Sequence, residues 1–259
     1  MRIELPISTK YVADWTIEDA IRELFQNALD QEIIDSNSAM HWKYMLDTGE
    51  LHISNYNVQL LLSSLVLGET TKRGDASTTG QFGEGYKLAL LVLLRNNCPV
   101  TVYNHACNDI WETRLVHSKR FQAEVLEINV RRAAPLLQHA ADSNLTFVVK
   151  LSLKQFGSAI KRVLPARQDI IEDRDEHIIG TPVNNTVAKQ VDELCVACNY
   201  TVLASTGAGD ILDLPGEIYV NGLYVMTHKD YHYGYDISSQ YLELGRDRRL
   251  VSDFDLNWA

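Results

Sequence analysis

The sequence predicts a two-layer α/β sandwich, in which helices cover one face of a mixed β-sheet and a smaller C-terminal extension follows. Three observations indicate this class. An amphipathic helix pattern follows Thr16, residues 39–55 have the pattern of a β-hairpin, and an apolar helix pattern after Gly85 leads into alternating strand patterns up to residue 153. Helix, hairpin, helix and then a meander of strands is an order typical of helices packed on a sheet.

The chain of 259 residues can bury a sizeable core in one large domain or two small ones. Its 46% hydrophobic and 22% charged residues are ordinary for a globular protein. The net charge of −10 repels a phosphate backbone and disfavours nucleic acid as a partner. The N-terminal sequence MRIELPISTK lacks an apolar segment of signal-peptide length, and no apolar run is long enough to cross a membrane. We therefore expect a cytoplasmic protein.

The first helix begins at a capping-box pattern formed by Thr16 and Asp19. Apolar residues then recur at helical spacing and form a stripe that faces a core. The members of this stripe are Ile17, Ile21, Leu24, Phe25, Ala28 and Leu29.

A second stripe on the same helix is polar and consists of Glu23, Asn27 and Asp30, which stand at positions i, i+4 and i+7. Carboxylate and carboxamide oxygens in line can orient a water molecule and can ligate a hard cation such as Mg²⁺. A solvated helix face has the same pattern, so the stripe alone leaves both interpretations open.

The middle of the chain carries the strand patterns. Residues 39–55 predict two strands joined by a turn at Asp47-Thr48-Gly49. A short apolar helix is expected over residues 58–68, and the helix after Gly85 is expected to end near Asn97. The further strands are predicted at residues 99–105, 110–117, 123–130 and 145–153.

The stretch from Gly68 to Leu94 combines a polar loop, closely spaced glycines and the start of a helix. Gly80, Gly83 and Gly85 let the backbone approach a ligand closely. The helix start beyond them presents unpaired N–H groups and the positive end of a helix dipole, which suits a phosphate, and Lys87 can add a positive charge. The spacing fits neither a Walker A loop nor the dinucleotide fingerprint. A flexible loop before a buried helix remains the alternative interpretation.

The chain is predicted to divide into a main domain, residues 1–155, and a C-terminal extension, residues 156–259. Asn221-Gly222 between β-forming residues predicts a hairpin in the extension. The other elements expected there are a helix at residues 153–164, an exposed charged segment at 168–177 and a mixture of strand and helix at 186–204.

Two side-chain groups in the extension have more than one interpretation. Cys195 and Cys198 form a CxxC pair without a second pair or a nearby histidine pair, which favours core filling over zinc or redox chemistry. Arg246, Arg248 and Arg249 are interpreted as salt-bridge partners, with sensing of a terminal phosphate as the alternative.

Two of these segments together resemble the GHKL ATPases, the group that contains the large heat-shock chaperones, the ATPase subunits of type II topoisomerases, MutL, the MORC proteins and histidine kinases. Residues 23–30, ELFQNALD, resemble the N-box of this family. Residues 80–87, GQFGEGYK, resemble its glycine-rich second box, in the form closest to the heat-shock chaperones and with a following lysine similar to that of MORC proteins. The boxes come in the family's order, and the resemblance covers about residues 11–152.

The resemblance implies a Bergerat fold that holds ATP and Mg²⁺ between the first helix and a lid. Glu23 would be the general base that polarises the attacking water, Asn27 would hold the Mg²⁺, and Asp30 would support that shell or the nucleotide. Lys87 and Lys72 would neutralise the phosphates. The other residues implied in nucleotide binding are Gly80, Gln81, Phe82, Gly83 and Gly85 in the glycine box and Thr146, which is similar to a late threonine near the adenine.

The first glycine box departs from the family pattern. The family has Asp-x-Gly-x-Gly, whose Asp accepts a hydrogen bond from the adenine amine, whereas this chain has Asn55-Tyr56-Asn57-Val58. An Asn side chain can accept from the amine of adenine or donate to the carbonyl of guanine. The sequence therefore leaves the base preference open.

The expected function is Mg²⁺-dependent ATP binding with slow hydrolysis that drives a lid or conformational switch. The alternative is a nucleotide-binding module that acts on a protein partner with little or no hydrolysis. A protein partner or a homodimer is expected in both cases. A histidine kinase is disfavoured because no helix pair with a phospho-acceptor histidine precedes the nucleotide-binding region, and the net charge disfavours a DNA-linked role.

Overall fold

The computed structural model describes residues 1–65, 85–133 and 144–242. This part of the chain contains strands β1 to β13, helices α1 to α6 and two short 3-10 turns at Leu62–Leu65 and His105–Cys107. The strands and α-helices in chain order are β1 Arg2–Ser8, α1 Ile17–Ile34, β2 Met40–Met45, β3 Glu50–Asn55, α2 Gly85–Arg95, β4 Val100–Asn104, β5 Asp109–Ser118, β6 Ala123–Arg132, β7 Leu145–Lys150, α3 Leu153–Ile160, α4 Leu164–Glu172, α5 Arg174–His177, β8 Ile178–Ile179, α6 Asn185–Cys198, β9 Val202–Thr206, β10 Gly209–Leu212, β11 Glu217–Val220, β12 Leu223–Thr227 and β13 Gly234–Ile237.

Eight strands form one mixed sheet in the spatial order β1-β6-β5-β4-β7-β3-β2-β8. Neighbouring strands are antiparallel except β2 and β8, which run parallel. One face of the sheet packs on the helices in a single core, where Trp111 and the stacked rings of Tyr44 and Phe156 are almost fully buried. The other face carries ion pairs such as Arg131 with Glu112. The predicted two-layer sandwich with helices on one face is confirmed.

Helices α1 and α2 form the centre of the helix layer and pack side by side. The predicted capping box starts α1, since Thr16 Oγ1 accepts from the N–H of Asp19 at 3.3 Å and Asp19 Oδ2 accepts from the N–H of Thr16 at 2.9 Å. Its apolar stripe, including Ile21 and Phe25, is buried. Every residue of α2 from Tyr86 to Leu93 is buried, so this helix is surrounded by protein along most of its length.

The two predicted hairpins form at their glycine turns. Gly49, with φ of 65°, ends the turn between β2 and β3, and Asn221 and Gly222, with φ of 49° and 77°, join β11 to β12. Positive φ at both central residues is the geometry of the two-residue turn that matches the strand twist. A Cβ on Gly222 would also lie 2.9 Å from Cδ of Pro165, so the glycine lets the hairpin approach α4.

Several elements differ from the sequence prediction. Strand β1 was not predicted. The charged segment at residues 168–177 is mostly exposed, as expected, but it is helical and lies largely in α4 and α5. Ile170 attaches this segment to the protein, because it is 2% exposed and packs in the main core. Of the apolar helix expected at residues 58–68, the described residues show only the 3-10 turn Leu62–Leu65. Arg246, Arg248 and Arg249 lie outside the described residues.

The main core continues beyond residue 155. Strand β8 pairs with β2, and α3 and α6 add Phe156, Val191 and Leu194 to the same cluster. Strands β9 to β13 form a second sheet in the order β12-β11-β13-β10-β9, with an apolar cluster of its own around Ile218 and Val220. The proposed division of the chain at residue 155 stays a prediction.

A buried arginine connects the second sheet to the helices. Arg167 of α4 is 3% exposed and donates to the carbonyl oxygen of Cys198 at 3.1 Å and to the hydroxyl of Tyr219 on β11 at 2.9 Å. Because a buried guanidinium without partners is very costly, these bonds fix the position of β11 on α4.

A partly buried carboxyl group in the second sheet makes the stability of the fold depend on pH. Asp236 of β13 lies directly opposite Asp210 of β10 and accepts a hydrogen bond from the N–H of Gly222 at 2.8 Å. Burial, and secondarily the charge of Asp210, raise the pKa of Asp236 from 3.8 to about 6. A raised pKa means that the folded state binds this proton more tightly than the unfolded state. The contribution of the bound proton to the stability of the fold is therefore present at pH below 4 and is lost as the pH rises through about 6.

We expect Asp236→Asn to raise the free energy of unfolding by about 1–2 kcal/mol at pH 8 and to change it little at pH 4, because the amide stays neutral and can still accept from Gly222. Urea unfolding at the two pH values measures this. Asp230→Asn, at an exposed carboxylate near the same sheet, is the control and should be neutral at both. An equal effect of Asp236→Asn at pH 4 and pH 8 would contradict the assignment.

Candidate functional site

The polar stripe of α1 is buried. Glu23 is 0% exposed and Asp30 is 2% exposed, while Asn27 between them is partly exposed. A solvated helix face would leave both carboxylates in water. The structure therefore excludes that interpretation for Glu23 and Asp30 and places them inside the protein, where charged groups are rare unless they have partners or a function.

Gly85, the first residue of α2, lies against this stripe. A Cβ on Gly85 would lie 2.5 Å from Oε2 of Glu23 and 3.4 Å from Nδ2 of Asn27. Real Cβ contacts are essentially never as short as the first of these distances, so a larger residue at position 85 would have to displace the end of the Glu23 side chain or α2 itself. The end of the glycine box and the polar stripe, which are distant in the sequence, thus meet at one point.

The start of α2 also contains a buried lysine. Lys87 is 0% exposed, and its Nζ lies 5.5 Å from the centroid of the Tyr86 ring. Tyr86 is held in turn, because its hydroxyl lies 3.0 Å from Oγ of Ser64 and donates to the carbonyl oxygen of Ser64 at 3.0 Å. Burial raises the pKa of the Tyr86 hydroxyl, which therefore stays protonated. The helix N-terminus thus lies beside the polar stripe, and a buried positive charge belongs to the same first turn of α2.

Asn27 has a defined orientation. Its Nδ2 donates to the backbone carbonyl oxygen of Glu23 at 2.7 Å, one turn earlier in α1. The amide oxygen Oδ1 is consequently the atom of Asn27 that can act as a ligand to a hard cation.

Asn55, the last residue of β3, is 6% exposed and is fixed by two hydrogen bonds. Its Nδ2 donates to the carbonyl oxygens of Ala28 at 2.9 Å and of Ser38 at 2.8 Å. Both amide hydrogens are thereby engaged with the backbone, and β3 is tied to α1. An aspartate at this position would have no N–H to donate, so these two hydrogen bonds require the amide.

Thr146 lies on the other face of the sheet. In the regular pairing of β3 with β7, Ser54 is opposite Thr146, and their hydroxyl oxygens are 2.8 Å apart. Side chains alternate along a strand, and Asn55 points towards α1, so Ser54 and Thr146 point away from it. The structure does not bring Thr146 to the polar stripe, and its assignment to an adenine site gains no support from the register.

Arg22 belongs to the site but was missed in the sequence. It is 5% exposed, its Nη2 lies 3.4 Å from Oε1 of Glu23, and its Nη1 donates at 3.0 Å to the carbonyl oxygen of Tyr224 on β12. A charged residue next to another in a helix is usually on the surface. No local signal could reveal a backbone partner 202 positions away.

The remaining predicted residues either lie outside the described residues or are not part of the site. Lys72, Gly80, Gln81, Phe82 and Gly83 lie outside the described residues. Cys195 and Cys198 are free thiols, and burial raises the pKa of both, to about 11 for Cys198. Such thiols are poor nucleophiles and weak metal ligands, which supports the core-filling interpretation. Within residues 1–65, 85–133 and 144–242, no three His, Cys, Asp or Glu side chains are grouped as a metal site.

The chain is similar to known proteins in sequence and in structure. No family model matches the chain. An uncharacterized protein of Mycoplasma pneumoniae is 25% identical over 253 residues, which cover 93% of this chain and 87% of that protein. The crystal structure of the ATPase region of Saccharomyces cerevisiae topoisomerase II is similar, with a TM-score of 0.42 and 11% identity. The match covers 80% of this chain and 62% of that chain, so it spans less than two thirds of the topoisomerase region.

None of the helices in the described part of the chain has the length and apolar character needed to span a membrane.

We expect Gly85→Ala to destabilise the fold by about 1–3 kcal/mol, because the new Cβ must displace either α2 or the buried carboxylate of Glu23. The cost should be smaller in a Glu23→Ala background, where the clashing oxygen is gone. A double-mutant cycle by urea unfolding measures this coupling. Gly207→Ala is the control, since a Cβ there meets no atom within 4 Å. Strict additivity of the two substitutions would show that the contact does not form.

Proposed function

We propose that the chain binds ATP together with Mg²⁺ between the polar stripe of α1 and the N-terminus of α2, and that it hydrolyses the nucleotide slowly. The single observation that carries this proposal is the contact of Gly85 with Glu23 and Asn27. This contact brings the start of α2, which can bind phosphate, next to a carboxylate that can orient water and an amide that can ligate a cation.

The N-terminus of α2 would receive the terminal phosphates. Its first N–H groups have no partner within the helix, its dipole is positive at this end, and Lys87 adds a buried positive charge. A lysine in a site shielded from water neutralises phosphate charge more effectively than one at the surface. The glycine box before Gly85, with Lys72 upstream, would complete the phosphate contacts.

Glu23 would serve as the general base, because its carboxylate lies beside the helix start where the terminal phosphate would be bound. Asn27, through Oδ1, would hold Mg²⁺, with Asp30 supporting the same region one turn further along α1. The oxygen-rich donor set fits a hard cation, and bound Mg²⁺ would supply neutralisation of the phosphate charge. The chain's own residues then orient the water and keep the site closed.

Asn55 would contact the base of the nucleotide and determine which base is preferred. Its Nδ2 is committed to the carbonyl oxygens of Ala28 and Ser38, so Oδ1 is the atom through which this side chain would contact a base. An acceptor matches the amine of adenine and opposes the carbonyl of guanine at the same position. The orientation of Asn55 therefore supports adenine over guanine.

A second candidate is a nucleotide-binding module that changes shape for a protein partner or a second copy of the chain, with little or no hydrolysis. The full burial of Glu23 favours it, because a carboxylate with no exposed surface is less accessible to a water molecule. Single-turnover hydrolysis by the purified protein separates the two candidates.

We expect Glu23→Gln to keep nucleotide affinity within about threefold and to lower the rate of phosphate release by about 100-fold or more, because binding uses the phosphates whereas the base acts only in the transition state. Single-turnover assays with labelled ATP measure the rate. Glu18→Gln, earlier on the same helix, is the control and should turn over normally. An unchanged rate in Glu23→Gln would remove this residue from its role.

We expect calorimetry to show tighter binding of ATP than of GTP, and binding of ATP that strengthens on addition of Mg²⁺. Asn27→Ala should lose most of the Mg²⁺-dependent gain, about tenfold or more in Kd, and keep the metal-free affinity. Titrations of ATP, ADP and GTP with and without Mg²⁺ on both proteins test this. A preference for GTP would overturn the assignment of Asn55, and equal loss with and without Mg²⁺ would overturn that of Asn27.

A further inference from the structure

Arg22 connects two parts of the molecule that the sequence separates widely. One end of its guanidinium group contacts Oε1 of Glu23 at 3.4 Å, and the other end donates to the backbone carbonyl oxygen of Tyr224 at 3.0 Å. The side chain is 5% exposed, so both contacts lie inside the protein. The second sheet therefore reaches the polar stripe through one side chain.

We propose that Arg22 is a positioning residue through which the hairpin β11–β12 sets the place of the Glu23 carboxylate, so that movement of this hairpin relative to α1 changes turnover. This inference rests on the proposed role of Glu23 as general base. It adds a control element that lies in the second sheet and outside the nucleotide site.

The hairpin is fixed to α1 at more than one point near Arg22. The N–H of Tyr224 donates to the carbonyl oxygen of Arg162 at 2.9 Å, and the guanidinium carbon of Arg162 lies 4.8 Å from the centroid of the Tyr224 ring. Arg162 in turn donates to Oδ1 of Asp19 on α1 at 3.1 Å, and Nη1 of Arg22 lies 3.8 Å from the same oxygen. A movement of β12 relative to α1 must therefore disturb Arg22 or Arg162.

A guanidinium group can couple the position of Tyr224 to that of Glu23 because it is planar and presents its donors at fixed angles. If the carbonyl oxygen of Tyr224 moves away, Arg22 must follow it or turn fully towards Glu23, and either change alters the position of the carboxylate. In a site with little water, a displacement of about 1 Å can change a rate by about 100-fold. Arg22 contacts the backbone of Tyr224, so this contact depends on the position of strand β12 itself.

The turn of the hairpin is also attached to elements other than α1. The N–H of Leu164 at the start of α4 donates to the carbonyl oxygen of Gly222 at 2.7 Å, and Asp236 accepts from the N–H of Gly222. The turn of the hairpin is thus held between α4 and the rest of the second sheet. Displacement of the second sheet would be carried along β12 to Tyr224 and Arg22.

The test is steady-state and single-turnover hydrolysis by the full chain with substitutions at Arg22. Arg22→Met should lower kcat about tenfold or more with KM changed less than about twofold, and Arg22→Lys should restore part of the loss because the charge is retained. Arg95→Met is the matched control. Arg95 also donates to backbone carbonyl oxygens, those of Thr9, Tyr11, Val12 and Trp15, but it lies at the far end of α2, so kcat per folded molecule should not change.

Coupling to the hairpin is tested at Arg162, which leaves the contact of Arg22 with Glu23 in place. Arg162→Met should lower kcat by about threefold to tenfold, and the double variant should be no slower than Arg22→Met alone, because both act through one contact. If Arg22→Met fails to fold, Arg22→Lys and Arg162→Met carry the test. A normal kcat in Arg162→Met, or a change in KM alone in Arg22→Met, would overturn this inference. Failure of the wild type to bind ATP would instead overturn the proposed function.

Discussion

The close packing of α1 on the first residue of α2 is the constraint on which the candidate site depends. A Cβ at position 85 would lie 2.5 Å from Oε2 of Glu23, so the absence of a side chain at Gly85 leaves room for this carboxylate beside the start of α2. Because α2 is buried along most of its length, it cannot shift to admit a larger residue without disturbing the whole core. The packing that stabilises the helix layer and the geometry that brings the site together are therefore the same interaction.

This arrangement puts charged groups where they are costly. Glu23 and Lys87 have no exposed surface and Asp30 has almost none. An unpaired charge in such a place would destabilise the fold by several kcal/mol, so each needs compensating polar contacts. The contact of Arg22 with Glu23 is one of them. Stability alone would favour apolar residues at these positions, so the buried charges on these two packed helices support the proposed binding or catalytic use.

The sequence predicted the features that depend on local chemistry. The capping box of α1 and the turn at Asn221-Gly222 follow from residue types and spacing. The approach of a glycine to the polar stripe was expected only from the resemblance to the GHKL ATPases. Features that depend on distant partners were not predictable. The donor role of Asn55 depends on the carbonyl oxygens of Ala28 and Ser38, and the face occupied by Thr146 depends on strand register, where a shift of one residue reverses the side chain.

The second sheet is held in place by contacts with both α4 and α1. Its strands have an apolar cluster of their own and are attached to α4 through Arg167. In addition, β12 places a backbone carbonyl oxygen within hydrogen-bond distance of Arg22, beside a buried carboxylate. A side-chain contact at this position could be lost by a single substitution, whereas a backbone contact persists as long as the strand keeps its place. The guanidinium of Arg22 thus links the carboxylate of Glu23 to the position of a whole strand.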